Sequence, residues 1–317
     1  MKNRLISVAY LLIVLALLIS CSAATELREY KPKPAQEQEI LSVPILVESD
    51  WLAAKGNFSK LRLIDYGRKI EDYQAGHIPG AVFVDRKAAW IKVDGIPGML
   101  PYVETMVQEL ENAGISSDSM VVIYDNSGGL WASRLFWALE YLGHRDVHIL
   151  NGGWHKWVQE KRDVQLASSV PPRGTFIPRI QHNLLTTEEW ILGNLSNPDV
   201  QIIDTRSPKE YAGEDVRAAR GGHIPGAVNI NWISNLKGDD SKTFALEGQL
   251  VELYDSQKIS KDKIIVTHCQ TGVRGAHTYF VLKLLGYPKV RVYDGSWAEW
   301  GNDREAPVIR QTIETPK

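Results

Sequence analysis

Two residues late in the chain, Cys269 and Arg274, have the types and spacing of a nucleophile and a supporting cation. They bracket the segment Cys-Gln-Thr-Gly-Val-Arg, which follows an apolar run at residues 264–266. That run is typical of a strand buried on both faces of a parallel sheet. From Ala276 onward the apolar residues recur at helical spacing, and Gly286 supplies a stop. We therefore place Cys269 at a strand-to-helix turn.

A turn of this kind stabilises an anion. Successive backbone N–H groups point into its concavity, and the N-terminus of the helix adds about half a positive charge. A thiolate is such an anion, and it is the form of cysteine that attacks as a nucleophile. Arg274, at the far end of the loop, adds a full charge. The alternative is an inert buried thiol, which a glycine-containing loop that ends in arginine disfavours.

Residues 269–274 resemble the active-site loop of the rhodanese family of sulfurtransferases. In that family a cysteine opens a six-residue loop, accepts a sulfur atom from a donor and holds it as a persulfide. The resemblance implies that Cys269 is the catalytic nucleophile. It also implies that the other loop residues bind the donor and the transferred sulfur: Gln270, Thr271, Gly272, Val273 and Arg274.

The sequence of the loop does not identify the sulfur donor. Family members that use thiosulfate carry basic residues directly after the cysteine, and those that use mercaptopyruvate carry small neutral ones. Gln270 and Thr271 are neutral, and Arg274 is the only charged residue of the loop. The pattern fits neither class fully, so the donor is open while sulfur transfer is still expected.

His268 and Cys269 followed by an arginine also resemble the loop of cysteine-dependent phosphatases. In those enzymes five residues separate the cysteine from the arginine, whereas four do so here. A shorter ring of N–H groups suits a single sulfur better than a phosphate, so a phosphatase is the weakest alternative. Because His268 precedes the cysteine on the strand, we expect a packed core histidine and not a general base.

The composition is that of a soluble globular protein. The chain has 317 residues, of which 44% are hydrophobic and 23% charged, and this length suggests two domains. The net charge is −2 and there is no basic cluster, which argues against a nucleic-acid partner.

The N-terminus predicts a bacterial lipoprotein. Two basic residues precede an apolar run at residues 5–19, and Leu-Ile-Ser-Cys at residues 18–21 resembles a lipobox. We expect cleavage before Cys21, lipid attachment to Cys21, and a flexible tether at residues 22–42. The protein would then be lipid-anchored in the cell envelope, on the periplasmic side of a membrane in a Gram-negative source. The alternative is a plain signal peptide or a membrane anchor, although the run is shorter than the about 20 apolar residues of a span.

From residue 43 the chain repeats itself. The sequence Gly-His-Ile-Pro-Gly-Ala-Val occurs at residues 76–82 and again at residues 222–228. A second match relates residues 141–157 to residues 284–300, each ending in Trp-x-x-Trp. The repeats resemble two tandem rhodanese domains. We assign residues 43–161 to a domain without a catalytic cysteine, residues 162–184 to a linker and residues 185–310 to the catalytic domain.

Each half alternates strands and helices, which predicts an α/β fold with a parallel-rich sheet covered by helices on both faces. In the first half we predict strands at 61–64, 120–124 and 147–150 and helices at 106–113 and 132–142. In the second half we predict strands at 200–203, 264–267 and 290–293 and helices at 246–254 and 276–285.

Alignment of the halves predicts that the second alone reacts. Cys269 aligns with Asn126, and Arg274 aligns with Trp131. Asp-Thr-Arg at residues 204–206 aligns with Asp-Tyr-Gly at residues 65–67, so the first half also lacks that arginine. We therefore assign the first half a structural role, with its surface forming one wall of the cleft over Cys269, as in tandem members of the family.

Two more arginines are candidates for donor binding. Arg206 follows a strand whose carboxyl end lies at the same sheet edge as Cys269, and the resemblance implies that it binds the donor's anionic group. The alternative is a surface salt bridge with Glu210. Arg217 lies in the region where mercaptopyruvate enzymes of the family place a second carboxylate-binding arginine.

The expected reaction is a double displacement that needs no metal or organic cofactor. The Cys269 thiolate takes the outer sulfur of a small anionic donor such as thiosulfate, and cyanide or a thiol acceptor then removes it. The loop N–H groups and Arg274 stabilise the charge on the terminal sulfur. The alternatives are a mercaptopyruvate sulfurtransferase and a tethered sulfur carrier or binding module.

Overall fold

The computed structural model describes residues 43–55 and 58–310. The predicted signal peptide, the lipid on Cys21 and the tether at residues 22–42 lie outside the described residues and stay predictions. Within the described ranges no helix is both long and apolar enough to cross a membrane.

The first half is built on a five-stranded sheet and a separate hairpin. The strands in chain order are β1 (Leu46–Val47), β2 (Leu61–Tyr66), β3 (Val82–Val84), β4 (Ile91–Val93), β5 (Ile96–Met99), β6 (Met120–Tyr124) and β7 (Val147–Leu150). The sheet has the order β1-β7-β6-β2-β3 with every pair parallel, and β4 and β5 form the antiparallel hairpin. The central strands are apolar along most of their length, as strands covered on both faces must be.

The second half repeats this sheet. Its strands are β8 (Leu185–Thr186), β9 (Val200–Asp204), β10 (Val228–Asn229), β11 (Ile264–His268) and β12 (Val290–Tyr293). They are all parallel, and their order β10-β9-β11-β12-β8 corresponds strand for strand to that of the first half. The repeat in the sequence is therefore a repeat of the fold.

Helices cover both sheets. In the first half they are α1 (Ser49–Lys55), α2 (Ile70–Ala75), α3 (Val103–Asn112), α4 (Leu130–Tyr141) and α5 (Gly153–Gln159). In the second they are α6 (Glu188–Leu192), α7 (Pro208–Ala212), α8 (Glu247–Ser256), α9 (Val273–Leu284) and α10 (Ser296–Trp300). Short 3-10 turns lie at Arg86–Ala88, His182–Leu184 and Trp232–Asn235.

The predicted α/β fold of two tandem domains is confirmed, and three predicted strands, at 120–124, 147–150 and 290–293, have the observed bounds. The predicted start of the helix after the cysteine loop is wrong. The helix α9 begins at Val273, three residues before the expected Ala276, because Gly272 adopts a left-handed φ of +74° and starts the helix directly after itself. Val273 and Arg274 therefore belong to the first helical turn.

The two halves share one apolar core. Helix α4 of the first half packs against α9 of the second, and the rings of Phe136 and Phe280 meet edge to face with centroids 4.9 Å apart. Aromatic pairs in this geometry add to the gain from burial. The same core includes residues from both sheets, so the halves are not independent globules.

Each half also covers the strand-to-helix turn of the other. Gly98 of the β4–β5 hairpin lies on the cysteine loop, where an added Cβ would be 2.5 Å from the carbonyl oxygen of Thr271. In the opposite direction Phe244 donates its N–H to Asn151 Oδ1 at 3.0 Å. The ring of Phe244 lies 2.7 Å from where a Cβ on Gly129 would be.

Candidate active site

The cysteine lies at the carboxyl edge of the central strand of the second sheet. Strand β11 ends at His268 and helix α9 begins at Val273, so Cys269 opens a tight turn. Its side chain is buried, with 1% of its surface exposed. Carboxyl ends of parallel strands are where open α/β sheets bind ligands, and the predicted position of Cys269 agrees with this.

Ser296 anchors this turn from the start of α10. Its hydroxyl accepts the N–H of Cys269 at 3.2 Å and that of Gly272 at 3.1 Å, and it donates to Tyr293 O at 2.8 Å. Ser296 has a φ of +53°, and Gly153 has a φ of +50° at the equivalent position of the first half. Sequence reasoning missed Ser296, although the change from Gly-Gly at 152–153 to Gly-Ser at 295–296 is a signal that could have found it.

Several N–H groups of the turn and of the first turn of α9 are available to an anion. Among the described residues, no acceptor contacts the backbone N–H of the following residues: Gln270, Thr271, Val273, Arg274 and Gly275. Unpaired N–H groups at a helix N-terminus attract negative charge. The turn that Cys269 opens therefore presents a set of unpaired N–H donors.

In the first half, the N–H groups of the equivalent turn are already bonded to an anionic side chain of the chain itself. The carboxylate of Asp125 accepts four backbone N–H groups at 2.7–3.1 Å, those of Ser127, Gly129, Trp131 and Ala132. Gly129 has a φ of +81°, close to that of Gly272. Asp125 occupies the position of His268, and Asn126 that of Cys269. The first half thus fills its own turn and holds no nucleophile there.

Arg274 is fixed by a carboxylate partner. Its guanidinium donates to both oxygens of Glu210, at 2.7 and 2.9 Å. Glu210 is buried and also accepts the N–H of Ser207 at 3.1 Å in the capping box of α7. Burial opposes ionisation of this carboxyl, but the hydrogen bonds and charge of Arg274 outweigh it and lower the pKa of Glu210 to about 2. Sequence reasoning named Glu210 only as a partner of Arg206.

A cleft of about 400 Å³ opens over the turn, between the two halves. The second half lines it with Arg217, Gln270, Thr271, Val273 and Arg274, and the first half lines it with Arg86, Trp90, Leu130 and Trp131. The first half therefore forms one wall of a cleft at the cysteine loop, whereas the buried Cys269 is not among the residues that line it. All of the predicted donor-binding residues except Gly272 and Arg206 line this cleft.

Arg217 lies at the rim. Its backbone carbonyl accepts Nε2 of Gln270 at 3.0 Å, and its guanidinium pairs with Asp215 at 2.7 Å and lies 3.7 Å from Glu210. About half of the side chain, 52%, is exposed. Its role in donor binding stays a prediction.

The first half contributes a cation that sequence reasoning missed. The guanidinium of Arg86 stacks over the ring of Trp131 at 4.1 Å, and Trp131 meets Trp90 edge to face at 5.8 Å. Arg86 also donates to Gly67 O at 2.9 Å. The cleft is thus bordered by arginines from both halves and suits an anionic ligand.

Arg206, which was predicted to bind the donor, does not line the cleft. Its side chain is 1% exposed, and it donates to both carboxylate oxygens of Asp204 and to Gly222 O at 2.7 Å. The guanidinium lies 4.3 Å from the ring centroid of Trp297. It is held inside the fold and does not line the cleft.

The first half does not lack this arginine. Arg68 donates to Asp65 at 2.8 Å and to Gly76 O at 2.9 Å, and it lies 4.4 Å from the ring centroid of Trp154. The sequence alignment paired residues 65–67 with residues 204–206, and it therefore stopped one residue before Arg68. Because both halves make this arginine contact, we attribute it to the fold and not to a reaction in one half.

His268 is a packed core histidine, as expected. It is fully buried, and its Nε2 lies 3.7 Å from Asp204. Burial lowers the pKa of His268 to about 4 despite the nearby carboxylate. A neutral imidazole inside the sheet is not placed to act as a base on a ligand in the cleft.

Comparison with known proteins agrees with this geometry. Residues 48–160 and residues 187–303 each match the family of the rhodanese-like domain. The chain belongs to that family. Its two halves are therefore both rhodanese-like domains, and of these the second carries the cysteine.

Named relatives cover nearly the whole length of this rhodanese-like chain. A thiosulfate sulfurtransferase of Azotobacter vinelandii is 38% identical over 270 residues, which are 85% of this chain and 98% of that protein. The sulfur carrier protein TtuD of Thermus thermophilus is 36% identical over 281 residues, 84% of this chain and 96% of that protein. Among solved structures, SseA from Escherichia coli, described as a 3-mercaptopyruvate sulfotransferase, has a TM-score of 0.73 at 29% identity and covers 80% of this chain and 99% of that one.

Proposed function

We propose that this rhodanese-like protein is a thiosulfate sulfurtransferase that carries the transferred sulfur as a persulfide on Cys269. One observation carries the proposal: among the described residues no acceptor contacts the N–H groups of Gln270, Thr271, Val273, Arg274 and Gly275, whereas the same turn of the first half is filled by the carboxylate of Asp125. The thiosulfate sulfurtransferases among the relatives support the same activity.

The reaction runs in two displacements. The Cys269 thiolate attacks the outer sulfur of thiosulfate, an S–S bond to Cys269 forms, and the S–S bond of the donor breaks. Sulfite leaves with the electron pair. Cyanide then attacks the terminal sulfur of the persulfide, thiocyanate leaves, and the thiolate is restored. Neither step needs an external oxidant or reductant.

The site residues have different roles in this reaction. The loop N–H groups of Gln270, Thr271 and Val273 stabilise negative charge on the terminal sulfur, as donors in an oxyanion hole do. Arg274, kept in place by Glu210, adds a fixed positive charge at the start of α9. The arginines at the borders of the cleft bind the sulfonate end of the donor.

Mercaptopyruvate is the second candidate donor. The neutral Gln270 and Thr271 favour it, and the exposed guanidinium of Arg217 at the rim is available to a carboxylate. The likeness to SseA supports this candidate as well. A third candidate is a sulfur carrier, in line with the relative of that name; a stable persulfide without multiple turnover would distinguish it.

The test is the intact mass of the soluble form that lacks residues 1–21, before and after each donor. A gain of one sulfur with thiosulfate, lost on adding cyanide and absent from Cys269→Ser, is the expected result. A gain with mercaptopyruvate alone selects the second donor. No gain with either donor overturns the proposal, provided that the circular dichroism of the protein shows a folded chain.

Steady-state kinetics supply an independent test. Double displacement through a free persulfide gives parallel lines when the rate is measured against one substrate at several concentrations of the other. Intersecting lines would contradict a free intermediate.

We also propose that the protein is anchored in the cell envelope by a lipid on Cys21. The apolar run at residues 5–19 and the lipobox-like sequence at 18–21 support lipid attachment to Cys21. Expression in a bacterium with labelled fatty acid should label the chain, and Cys21→Ala should remove the label. Labelling of Cys21→Ala at the unaltered level would refute the lipid anchor.

A further inference from the structure

A buried ion pair joins the two halves directly behind the cysteine loop. Arg134 lies on α4 of the first half, and Asp294 follows β12 of the second. Nη1 of Arg134 is 2.7 Å from Oδ1 of Asp294, and the two side chains are 0% and 2% exposed. A Cβ added to Gly272 would lie 2.6 Å from Nη1 of Arg134 and 3.1 Å from Oδ1 of Asp294. The pair therefore touches the residue at which the cysteine loop becomes a helix.

The same two side chains hold the hairpin that covers the loop. Arg134 donates to Ala89 O at 2.8 Å and to Gly98 O at 2.7 Å, and the second oxygen of Asp294 accepts the N–H of Leu100 at 2.7 Å. Gly98 in turn lies against Thr271. Through this pair the first half fixes both Thr271 and Gly272, two of the four residues from Cys269 to the start of α9.

The two equivalent positions on the opposite side hold uncharged side chains. His277 of α9 occupies the position that Arg134 has on α4, and Asn151 occupies the position of Asp294. Nε2 of His277 donates to Gly128 O at 3.1 Å, and Asn151 accepts the N–H of Phe244 at 3.0 Å. Burial lowers the pKa of His277 to about 4, so this side chain is neutral at pH 7. The chain thus closes one turn with neutral groups and the other with an ion pair.

Stability does not account for this difference. Removing two charges from water costs free energy that their attraction often fails to recover, so neutral packed residues in place of a buried ion pair are often equally stable or more so. The neutral arrangement at His277 and Asn151 shows that this fold accepts one. The ion pair occurs on the side that carries Cys269.

We propose that Arg134 and Asp294 are positioning residues for sulfur transfer: they fix Thr271 and Gly272 so that the loop N–H groups converge on the sulfur of Cys269. The inference rests on the proposed function of Cys269. It gives the first half a part in the reaction, although its own turn holds no nucleophile.

The test replaces Arg134 and Asp294 by the neutral residues that the chain has at the equivalent positions on the opposite side. The double variant Arg134→His, Asp294→Asn reproduces the residues that the chain uses at His277 and Asn151. We expect it to fold, with kcat for thiosulfate and cyanide at least about tenfold lower, since small misplacement of reacting groups costs up to about a hundredfold. The KM for thiosulfate should change less than about twofold, because the arginines that border the cleft are retained.

A matched control alters the opposite side. The double variant His277→Leu, Asn151→Ala removes the equivalent contacts and should keep kcat within about twofold of the unaltered protein. If the double variant on the active side does not fold, Asp294→Asn alone keeps an acceptor for Leu100 and should lower kcat in the same direction. Unaltered kcat in the folded active-side variant, or an equal loss in the control, overturns the inference. Failure of the unaltered protein to form a persulfide would instead overturn the proposed function.

Discussion

Arg68 and Arg206 make the same contacts in the two halves of the chain. Each guanidinium pairs with a buried aspartate on the preceding strand, donates to the carbonyl of a glycine, and lies 4.4 or 4.3 Å from a tryptophan ring. The half without a nucleophile keeps the whole arrangement. An arginine that looked like a donor-binding residue is therefore part of the frame that holds each sheet edge.

Replacing either arginine should destabilise the fold and leave donor binding unaltered. Arg206→Lys keeps the charge but loses the planar fork that reaches both Asp204 and Gly222, so we expect a loss of about 1–3 kcal/mol in the free energy of unfolding. Arg68→Lys, the matched control, should cost a similar amount. Urea unfolding and the KM for thiosulfate are the measurements. A raised KM in Arg206→Lys but not in Arg68→Lys would restore the donor-binding role.

The two cations near Glu210 should differ in their effect on catalysis: Arg274, which is hydrogen-bonded to it, and Arg217, which lies 3.7 Å from it. Arg274 is largely buried against the loop, whereas Arg217 is half exposed at the rim. Arg274→Lys loses the two-pronged bond to Glu210, and we expect kcat to fall about a hundredfold, the size of effect seen when one stabilising donor is removed. Arg217→Lys should raise the KM for the donor with little change in kcat. Equal effects of the two variants on kcat would contradict this division.

The turn of the first half should not accept sulfur even when a thiol is supplied. Asn126→Cys, made in the Cys269→Ser background, puts a thiol at the equivalent position, but the carboxylate of Asp125 already holds the N–H groups. We expect no gain of sulfur mass with thiosulfate. A stable persulfide at position 126 would show that the N–H groups alone are not what distinguishes the halves.

Removing the built-in anion should affect stability and not chemistry. Asp125→Ala leaves four N–H groups without their acceptor, and a buried unsatisfied group costs about 1–3 kcal/mol. The unfolding midpoint should fall while kcat changes little, because Asp125 does not line the cleft. A large loss of kcat at unaltered stability would be the contrary result.

Acid should destabilise the protein through its buried histidines. Burial lowers the pKa of His268 and of His277 to about 4, against an ordinary value of about 6.5. Between these pH values the unfolded chain binds protons that the folded chain does not, so the free energy of unfolding falls as the pH drops from about 6.5 to about 4. Asp65 and Glu188 act in the opposite direction, because burial raises their pKa values to about 6 and about 7 and the folded chain takes up those protons first.

The melting temperature between pH 7 and pH 4.5 measures the balance. The two histidines and the two carboxyls act in opposite directions, so the informative quantity is the difference that one histidine makes. His277→Gln keeps a donor for Gly128 and removes one of the histidines, so its melting temperature should decrease less with falling pH than that of the unaltered protein. A melting temperature that changes with pH in the same way in both proteins would contradict the assignment.

The sequence alone predicted the secondary structure correctly where a local pattern of residues determines it. The apolar, β-branched runs at 120–124, 147–150 and 290–293 predicted strands with the observed bounds, because each is covered on both faces. The run before Cys269 and the glycine after it placed the cysteine at the correct sheet edge. The edge strands β1, β3, β8 and β10 were missed, since two or three residues are too few to show a period.

Contacts between distant parts of the chain were not predictable. The partner of Arg274 is Glu210, 64 residues earlier, and nothing in the local pattern selects it over the nearby Asp204. The buried position of Arg206 was not predictable because its tryptophan lies about 90 residues later in the sequence and because the alignment missed Arg68 by one residue. Arg134 and Asp294 escaped notice because each looks like an ordinary charged residue until the two halves are packed together.

The mutual covering of the two turns bears on how such a chain can evolve. After a duplication, a copy that has lost its nucleophile is usually free to decay or to be deleted. Here Gly98 and Trp131 of the first copy close the cleft of the second, and Phe244 of the second lies on the turn of the first. Neither copy can be discarded without opening the other, so selection that retains the copy with Cys269 also retains the copy without a cysteine.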